Sequence, residues 1–510
     1  MKKVLLATNS EYGQANVFLA VGHALQALDK DVQIHFTSFE AISKDVSTSS
    51  EHSVKCTPGA EPWAFHLLDG VSFMDSIHAS GEATKRLEQV MRQHPTFSSV
   101  MAMMSVFPTM LLPWRNSAFV EVYQSFARVI DEVQPDIIVV DSLFTPALTA
   151  CQHLKLKHIV LSPNTLKDFA AALQPRGAVL WKYPVMGSAF EFPVPWRKIP
   201  ANVLYCLAQI YHALTDREIR ATKGHVKREL GADLVTFETL MFRAPAGLKI
   251  LIANRSEIDF PLDVIPAHLT PCGPVIRPVP AVADVDTELN GWLSRGPTVF
   301  ISLGTHRYME EDEALEMVGA IKQLLSEPAT QKEGRIGEVS GRLQVLWKLK
   351  RGKPHEEPFY EVGPGTKVYT ALQAELESDQ VRIADWVKPQ PSAVLQAGTV
   401  VCSINHGGAN SFHDALTCAV PQVVLPAWLD CYDFANRAEL LGIGRWGNKK
   451  AMPYVTKDEL GPILVEVVLG PKASEMRTRV KDLAELCGKT PGVTVAASNI
   501  LDEIKRSENE

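Results

Sequence analysis

No Cys-x-x-Cys pair, no block of like charges and no apolar run long enough to cross a bilayer occurs in this 510-residue chain. The eight cysteines stand singly. That spacing argues against a disulfide framework or a zinc site and reads as reduced thiols in the cytoplasm. A formal charge of -7 is small for the length and unclustered, so neither nucleic acid nor an anionic membrane is indicated as partner. In "MKKVLLATNS" the basic residues precede only a four-residue apolar run, too short for a signal peptide and suited to a buried strand. The most apolar stretch, Val100 to Trp114, is broken by Pro108 and Pro113 and falls short of the roughly 20 residues a spanning helix needs. It reads as a buried helix pair, or as a greasy wall for an apolar ligand or a peripheral membrane contact.

With 46% hydrophobic residues the chain can bury large cores, and it is too long for one ordinary domain. Short β-branched runs alternate with amphipathic stretches: "KVLLAT", "VQIHFTS", "DIIVVD" and "HIVLSP", then "TVFISLG", "LQVLWKL", "VVCSIN" and "PQVVLPA". This is the rhythm of parallel strands joined by helical crossovers, and it predicts an α/β protein of two doubly wound domains. The proline-rich "TPCGPVIRPVPAVADVD" marks a stiff linker between them. The expected division is 1–272 for a first domain, 273–289 for the linker and 290–485 for a second domain, with 486–510 packing back on the first. Ser326 to Asp379 reads as an exposed insertion around "LQVLWKL". Trp181 to His212, crowded with aromatics and prolines, reads as a lid over an apolar ligand or as plain packing.

"VVCSIN" is an apolar strand and "SFHDALTCA" a plausible helix, which puts His406 to Ser411 on the turn between them. Gly407 and Gly408 let backbone approach a ligand, and the helix start offers unpaired N–H groups, so together they predict an anion site. A tight turn capped by Asn410 or Ser411 is the alternative.

The longer stretch from "ADWVKPQPSAVL" to "AELLGIG" resembles the donor-binding signature of the UDP-glycosyltransferase family, whose fold is GT-B, two Rossmann-like domains facing across a cleft. The match carries Trp386, Pro389 and Gln390, then His406, Gly407, Gly408, Asn410 and Ser411, then Pro421, Pro426, Asp430 and Asn436. "PTVFISLGT" is similar to the family's first strand and phosphate-facing loop of the second domain, and "SEYGQANVFLAV" suggests a filamentous-fungal branch.

The resemblance implies that Trp386 stacks on uracil while backbone near Val387 reads the base edge. His406, Asn410 and Ser411, with Gly408, Ser302 and Thr305, would hold the diphosphate. Asp414 stands where the family has a ribose-binding glutamate. Asp430 would accept from sugar hydroxyls, and its usual glutamine partner is here Cys431, a poor hydrogen-bonding group.

At the position of the family's catalytic histidine this chain has Gln14, while Asp141 fills that of the orienting aspartate. An amide cannot remove a proton, so Gln14 is expected to position the acceptor and Asp141 to act as base, directly or through a water, with a pKa raised by burial. His23 lies roughly 13 Å along a helix from Gln14. His306, on a loop expected to face the cleft, is the other candidate. The expectation is an inverting UDP-dependent transferase moving a hexose, glucose by default, to a hydroxyl of a small apolar phenolic, polyketide or terpenoid. It would need no metal or other cofactor, the UDP-sugar being a co-substrate. A non-catalytic nucleotide-sugar-binding protein and a UDP-sugar epimerase are the competing readings.

Overall fold

Strands made of Val, Ile and Leu on both faces can be buried only between helix layers, and the chain forms two sheets of this kind. The computed structural model describes residues 2–79, 81–330, 334–353 and 357–508. Its first sheet contains β1 (Lys2–Ala7), β2 (Val32–Ser38), β3 (Ala64–Leu67), β4 (Ile137–Asp141), β5 (His158–Ser162), β6 (Ile250–Ile252) and β7 (Leu269–Pro271). They run parallel in the order β3-β2-β1-β4-β5-β6-β7.

The second sheet starts at β8 (Thr298–Ser302). A small antiparallel hairpin of β9 (Gly334–Ile336) and β10 (Val339–Gly341) lies outside it. β11 (Gln344–Lys348), β12 (Val381–Ala384), β13 (Val400–Asn405), β14 (Gln422–Val424) and β15 (Gly444–Trp446) complete it. Their order is β12-β11-β8-β13-β14-β15, all parallel. This is the two-Rossmann GT-B architecture.

Each sheet reverses its strand order once, between β1 and β4 in the first and between β8 and β13 in the second. Ligands of doubly wound sheets bind outside the carboxyl ends of strands at such a reversal. Ala7 pairs with Val140 at one switch point, and Ser302 pairs with Asn405 at the other.

The segment Val100–Trp114 is one helix, Phe97–Leu111, rather than a helix pair, and Pro108 lies inside it. Met103, Met104, Val106 and Phe107 are buried in the first domain's core together with Trp114, while Phe97 at the helix start is exposed. In the Ser326–Asp379 segment, β11 is wholly buried, second from the edge of the sheet, so the segment is not a wholly exposed insertion. The helix Ile199–Thr215 buries Tyr205 and Cys206 but leaves Leu204, Leu207, Tyr211 and Leu214 exposed.

The helix Gly492–Glu508 lies on the first sheet, with Ala496, Ile500 and Ile504 in one cluster with Val4, Phe18 and Leu25. The preceding helix, Ala473–Lys489, packs on the second domain through Met476, Val480 and Leu483. Where the chain crosses back, Gly492 presses so closely on Gly273 that a methyl group there would overlap the Gly273 carbonyl.

Candidate active site

The second switch point is built from neighbouring strand ends. Ser302 is in register with Lys348 on one side and Asn405 on the other. Asn405 shapes the turn after β13: its Oδ1 accepts from Gly407 N–H at 2.9 Å, and its Nδ2 donates to Gln422 Oε1 at 3.0 Å. Gly407 adopts φ +82°, and the helix Ala409–Thr417 begins two residues on.

His406 is enclosed by two glycines from different loops. A Cβ on Gly304, which has φ +82°, would stand 2.7 Å from His406 Cε1, and one on Gly408 would stand 2.5 Å from Nε2. Burial, then the nearby Arg307 and His306, pushes the imidazole down to about 3, so it is neutral at ordinary pH. Its Nδ1 is buried without a partner. An orphaned ring nitrogen in a polar cradle at a helix start suits a polar ligand atom that completes the pair.

Around this cradle the structure gathers most of the residues the sequence singled out. Thr305 lies on the Gly304 turn, where its carbonyl accepts from Lys350 Nζ. Ser411 and Asp414 lie on the helix Ala409–Thr417, with Asp414 one turn beyond Asn410. Asn410 Nδ2 donates across the cleft to the Tyr12 carbonyl at 3.0 Å, so this amide is held by the first domain. Asp430 starts the helix Cys431–Leu440, its carbonyl accepting from Asp433 N–H at 2.9 Å. Burial pushes both the Asp414 and Asp430 carboxyls up to about 7, the latter with help from Asp168 and Asp433.

Trp386 and Val387 follow β12, and Gln390 caps the helix Pro391–Gln396. Trp386 is 61% exposed, but one ring face is covered: Lys348 Nζ sits 3.9 Å from its centroid. A base can therefore stack only on the other face. Burial, then Lys350, lowers the Lys348 ammonium to about 8. Lys348, Lys350 and the buried Arg307, which donates to Glu313 Oε1 at 2.5 Å, bring cations to the second domain's side of the cleft. Their strand or loop positions carry no signal that separates them from ordinary surface charges, and sequence reasoning passed over them.

Cys431 is 2% exposed, and burial raises its thiol well above the ordinary value. A Cβ on Gly407 would stand 2.8 Å from its carbonyl oxygen. The residue beside Asp430 is thus a buried thiol.

The first switch point corrects the expectation for Asp141. Its carboxyl is fully enclosed, and both oxygens are taken: Oδ2 accepts from Asn9 Nδ2 at 2.8 Å and Thr8 Oγ1 at 3.1 Å, and Oδ1 from Leu143 N–H at 2.9 Å. Burial still lifts it to about 7. A carboxyl with no exposed surface cannot reach an acceptor hydroxyl, so the direct-base role is not open to it. Nor does Gln14 pair with it; Gln14 Oε1 is buried without a partner near the start of the helix Tyr12–Leu28. His23, further along that helix, packs beside His52 at 5.5 Å between ring centroids.

His306 reaches the cleft, where Nε2 lies 3.2 Å from Glu11 Oε2. Val100 and Met103 from the first domain and Trp428, Leu429 and Tyr432 from the second line a small depression between the domains.

Over nearly its whole length the chain is similar to proteins of known kind. Glycosyltransferase sdnJ of Sordaria araneosa is 28% identical over 519 residues, covering 96% of this chain and 95% of its own length. The chain is thus similar to glycosyltransferases, UDP-glycosyltransferases among them. The UDP-glycosyltransferase 84A3 of Arabidopsis thaliana matches a shorter part, 28% identical over 229 residues and 42% of each chain. No family model matches this glycosyltransferase. Among solved structures, TcCGT1 in complex with UDP superposes with a TM-score of 0.61 at 14% identity, covering 99% of both chains. The glycotransferase of kitacinnamycin gives 0.59 at 16% identity, also over 99% of both. The enzyme is a glycosyltransferase with a fungal full-length relative. Among the described residues, no helix is long and apolar enough to cross a membrane.

Proposed function

We propose that the enzyme is an inverting, UDP-sugar-dependent transferase. It moves a hexose, glucose by default, onto a hydroxyl of a small apolar secondary metabolite of phenolic, polyketide or terpenoid type, in the cytoplasm. The observation that carries this reading is the His406 cradle: a neutral imidazole with an unpaired buried nitrogen, opened by Gly304 and Gly408 at the start of the helix Ala409–Thr417.

In this reading the diphosphate lies on the helix start, with Ser302, Thr305, His406, Gly408 and Ser411 around it. Backbone N–H groups there favour the charge that develops as UDP leaves. The uracil stacks on the open face of Trp386, with Val387 and Gln390 at its edge. Asp414 takes the ribose and Asp430 the sugar hydroxyls. The acceptor lies in the cleft near Gln14, and its oxygen attacks the anomeric carbon from the first-domain side. Holding both reactants in one cleft removes much of the entropic barrier. The UDP-sugar is a co-substrate, and the reading calls on no further cofactor.

The test is UDP release from UDP-glucose with a panel of phenols, polyketides and sterols. Acceptor-dependent release is expected. UDP-sugar binding without release by any acceptor would mark a binding protein, and conversion of UDP-sugar without acceptor would mark an epimerase.

A further inference from the structure

Glu11 and His306 come from the loops that end the two switch strands, β1 and β8, and they meet across the cleft at 3.2 Å. Glu11 is held from behind. Its backbone N–H donates to Asn9 Oδ1 at 2.8 Å, and Asn9 Nδ2 donates to Asp141 Oδ2 at 2.8 Å. The buried Asp141 carboxyl thus fixes an asparagine that fixes the turn presenting Glu11. The His306 ring is 47% exposed, against 21% for Glu11, so the histidine is the member a cleft ligand can touch.

We propose that His306 takes the proton of the acceptor hydroxyl. Glu11 orients the ring and stabilises the imidazolium, and Asn9 and Asp141 are positioning residues behind it. The proposal rests on the transferase reading above. An Nε2–H directed at Glu11 leaves Nδ1 as the accepting nitrogen. In the step, the acceptor O–H bond breaks and its proton passes to Nδ1, while a bond forms between that oxygen and the anomeric carbon. The bond from the anomeric carbon to the diphosphate oxygen breaks, and its electron pair leaves with UDP. The imidazolium afterwards returns the proton to water. Gln14, with Oε1 unpaired near the start of the adjoining helix, orients the acceptor.

The groups around His306 suit this assignment. Glu11 is its anionic neighbour, while the adjacent Arg307 is engaged by Glu313 and the nearby His406 is neutral. The base is thereby moved from the first domain, where Gln14 stands, to the second.

The experiment measures turnover on a phenol and on an aliphatic alcohol over a range of pH, with UDP affinity by calorimetry, for His306→Gln, Glu11→Gln, Asp141→Asn and Gln14→Ala. His306→Gln is expected to lower kcat about 100- to 10,000-fold, more on the alcohol, and to abolish the acid limb of the pH profile while UDP still binds. Glu11→Gln is expected to cost less and to move that limb to lower pH, because a less stabilised imidazolium is a stronger acid. Asp141→Asn is expected to move the limb in the same direction, a shift that a purely structural defect would not produce. His306→Gly, assayed with added imidazole, is expected to regain part of the rate. Near-normal kcat and an unchanged profile in His306→Gln on both acceptors would overturn the proposal. So would an inactive Asp141→Asn beside a fully active Glu11→Gln. A wild type that releases no UDP with any acceptor would defeat the transferase reading itself, whatever the variants do.

Discussion

Lys167 of the first domain places its Nζ 2.7 Å from Asp433 Oδ2 of the second, with both side chains no more than 7% exposed. A second buried pair lies alongside: Arg437 NH2 is 2.6 Å from Asp259 Oδ1 and also donates to Thr165 Oγ1 at 3.0 Å. Removing one partner of such a pair leaves an uncompensated charge in the interior. Lys167→Met is therefore expected to lower stability by about 3–5 kcal/mol in urea unfolding. The double variant Lys167→Met/Asp433→Leu should recover part of that loss, since Asp433 is then no longer orphaned while the buried Asp168, 3.9 Å from Lys167 Nζ, still loses its cation.

The His406 cradle predicts an effect at Gly304. Alanine there would meet the imidazole and also has to adopt φ +82°. Gly304→Ala is expected to weaken UDP binding at least about tenfold by displacing His406, with unchanged far-UV circular dichroism. Unaltered affinity would remove His406 from the diphosphate site.

For the base, Trp386→Ala is expected to weaken UDP binding by about 1–3 kcal/mol, the magnitude of one base stacked on an aromatic ring. Calorimetry on the folded variant decides it, and equal affinity for UDP would end the stacking assignment. Lys348 holds the opposite face, so Lys348→Met should also loosen the ring.

Donor choice is expected to be broad, because the neighbour of Asp430 is a buried thiol where a glutamine would read a second set of hydroxyls. Turnover with UDP-glucose, UDP-galactose, UDP-xylose and UDP-N-acetylglucosamine is the measurement, and near-exclusive use of one donor would contradict it. Installing the glutamine is not a clean swap: Cys431→Gln adds atoms at a buried position and is expected to cost about 1–3 kcal/mol.

Asp414 gives a pH-dependent prediction. Its carboxyl titrates near 7 when folded, against roughly 3.9 when unfolded. Between those values the folded chain holds a proton that the unfolded chain releases, so this group's contribution to stability falls as pH rises through the window. Asp414→Asn removes that slope. Relative to wild type without donor, it should stabilise more at pH 8 than at pH 5, by about 1–3 kcal/mol in chemical denaturation.

The strands that read clearly in the sequence, such as "DIIVVD" and "TVFISLG", are β4 and β8, buried on both faces and therefore continuously apolar. The three-residue strands β6, β7 and β15 are too short to show any period, and position in the sheet alone makes them strands. The donor loop was legible because its residues are close in sequence. Glu11 and His306 are 295 positions apart, and Lys167 and Asp433 are 266 apart; only the meeting of two domains pairs them. Asp141 shows the opposite limit: the sequence marks the residue, but only its three-dimensional enclosure by Thr8, Asn9 and Leu143 shows that both carboxyl oxygens already have partners.

The contact of Gly492 with Gly273 means that both passages of the chain between the domains run side by side. Two adjacent straps permit swinging about a single line and resist twisting or sliding, as a door on paired pins does. A cut near residue 286 would not yield two self-sufficient halves, because the first would lack the Ala496–Ile504 face that covers Phe18 and Leu25. Fragment studies of this enzyme would need to supply the helix Gly492–Glu508 with the first domain, joined directly across the Gly273–Gly492 contact.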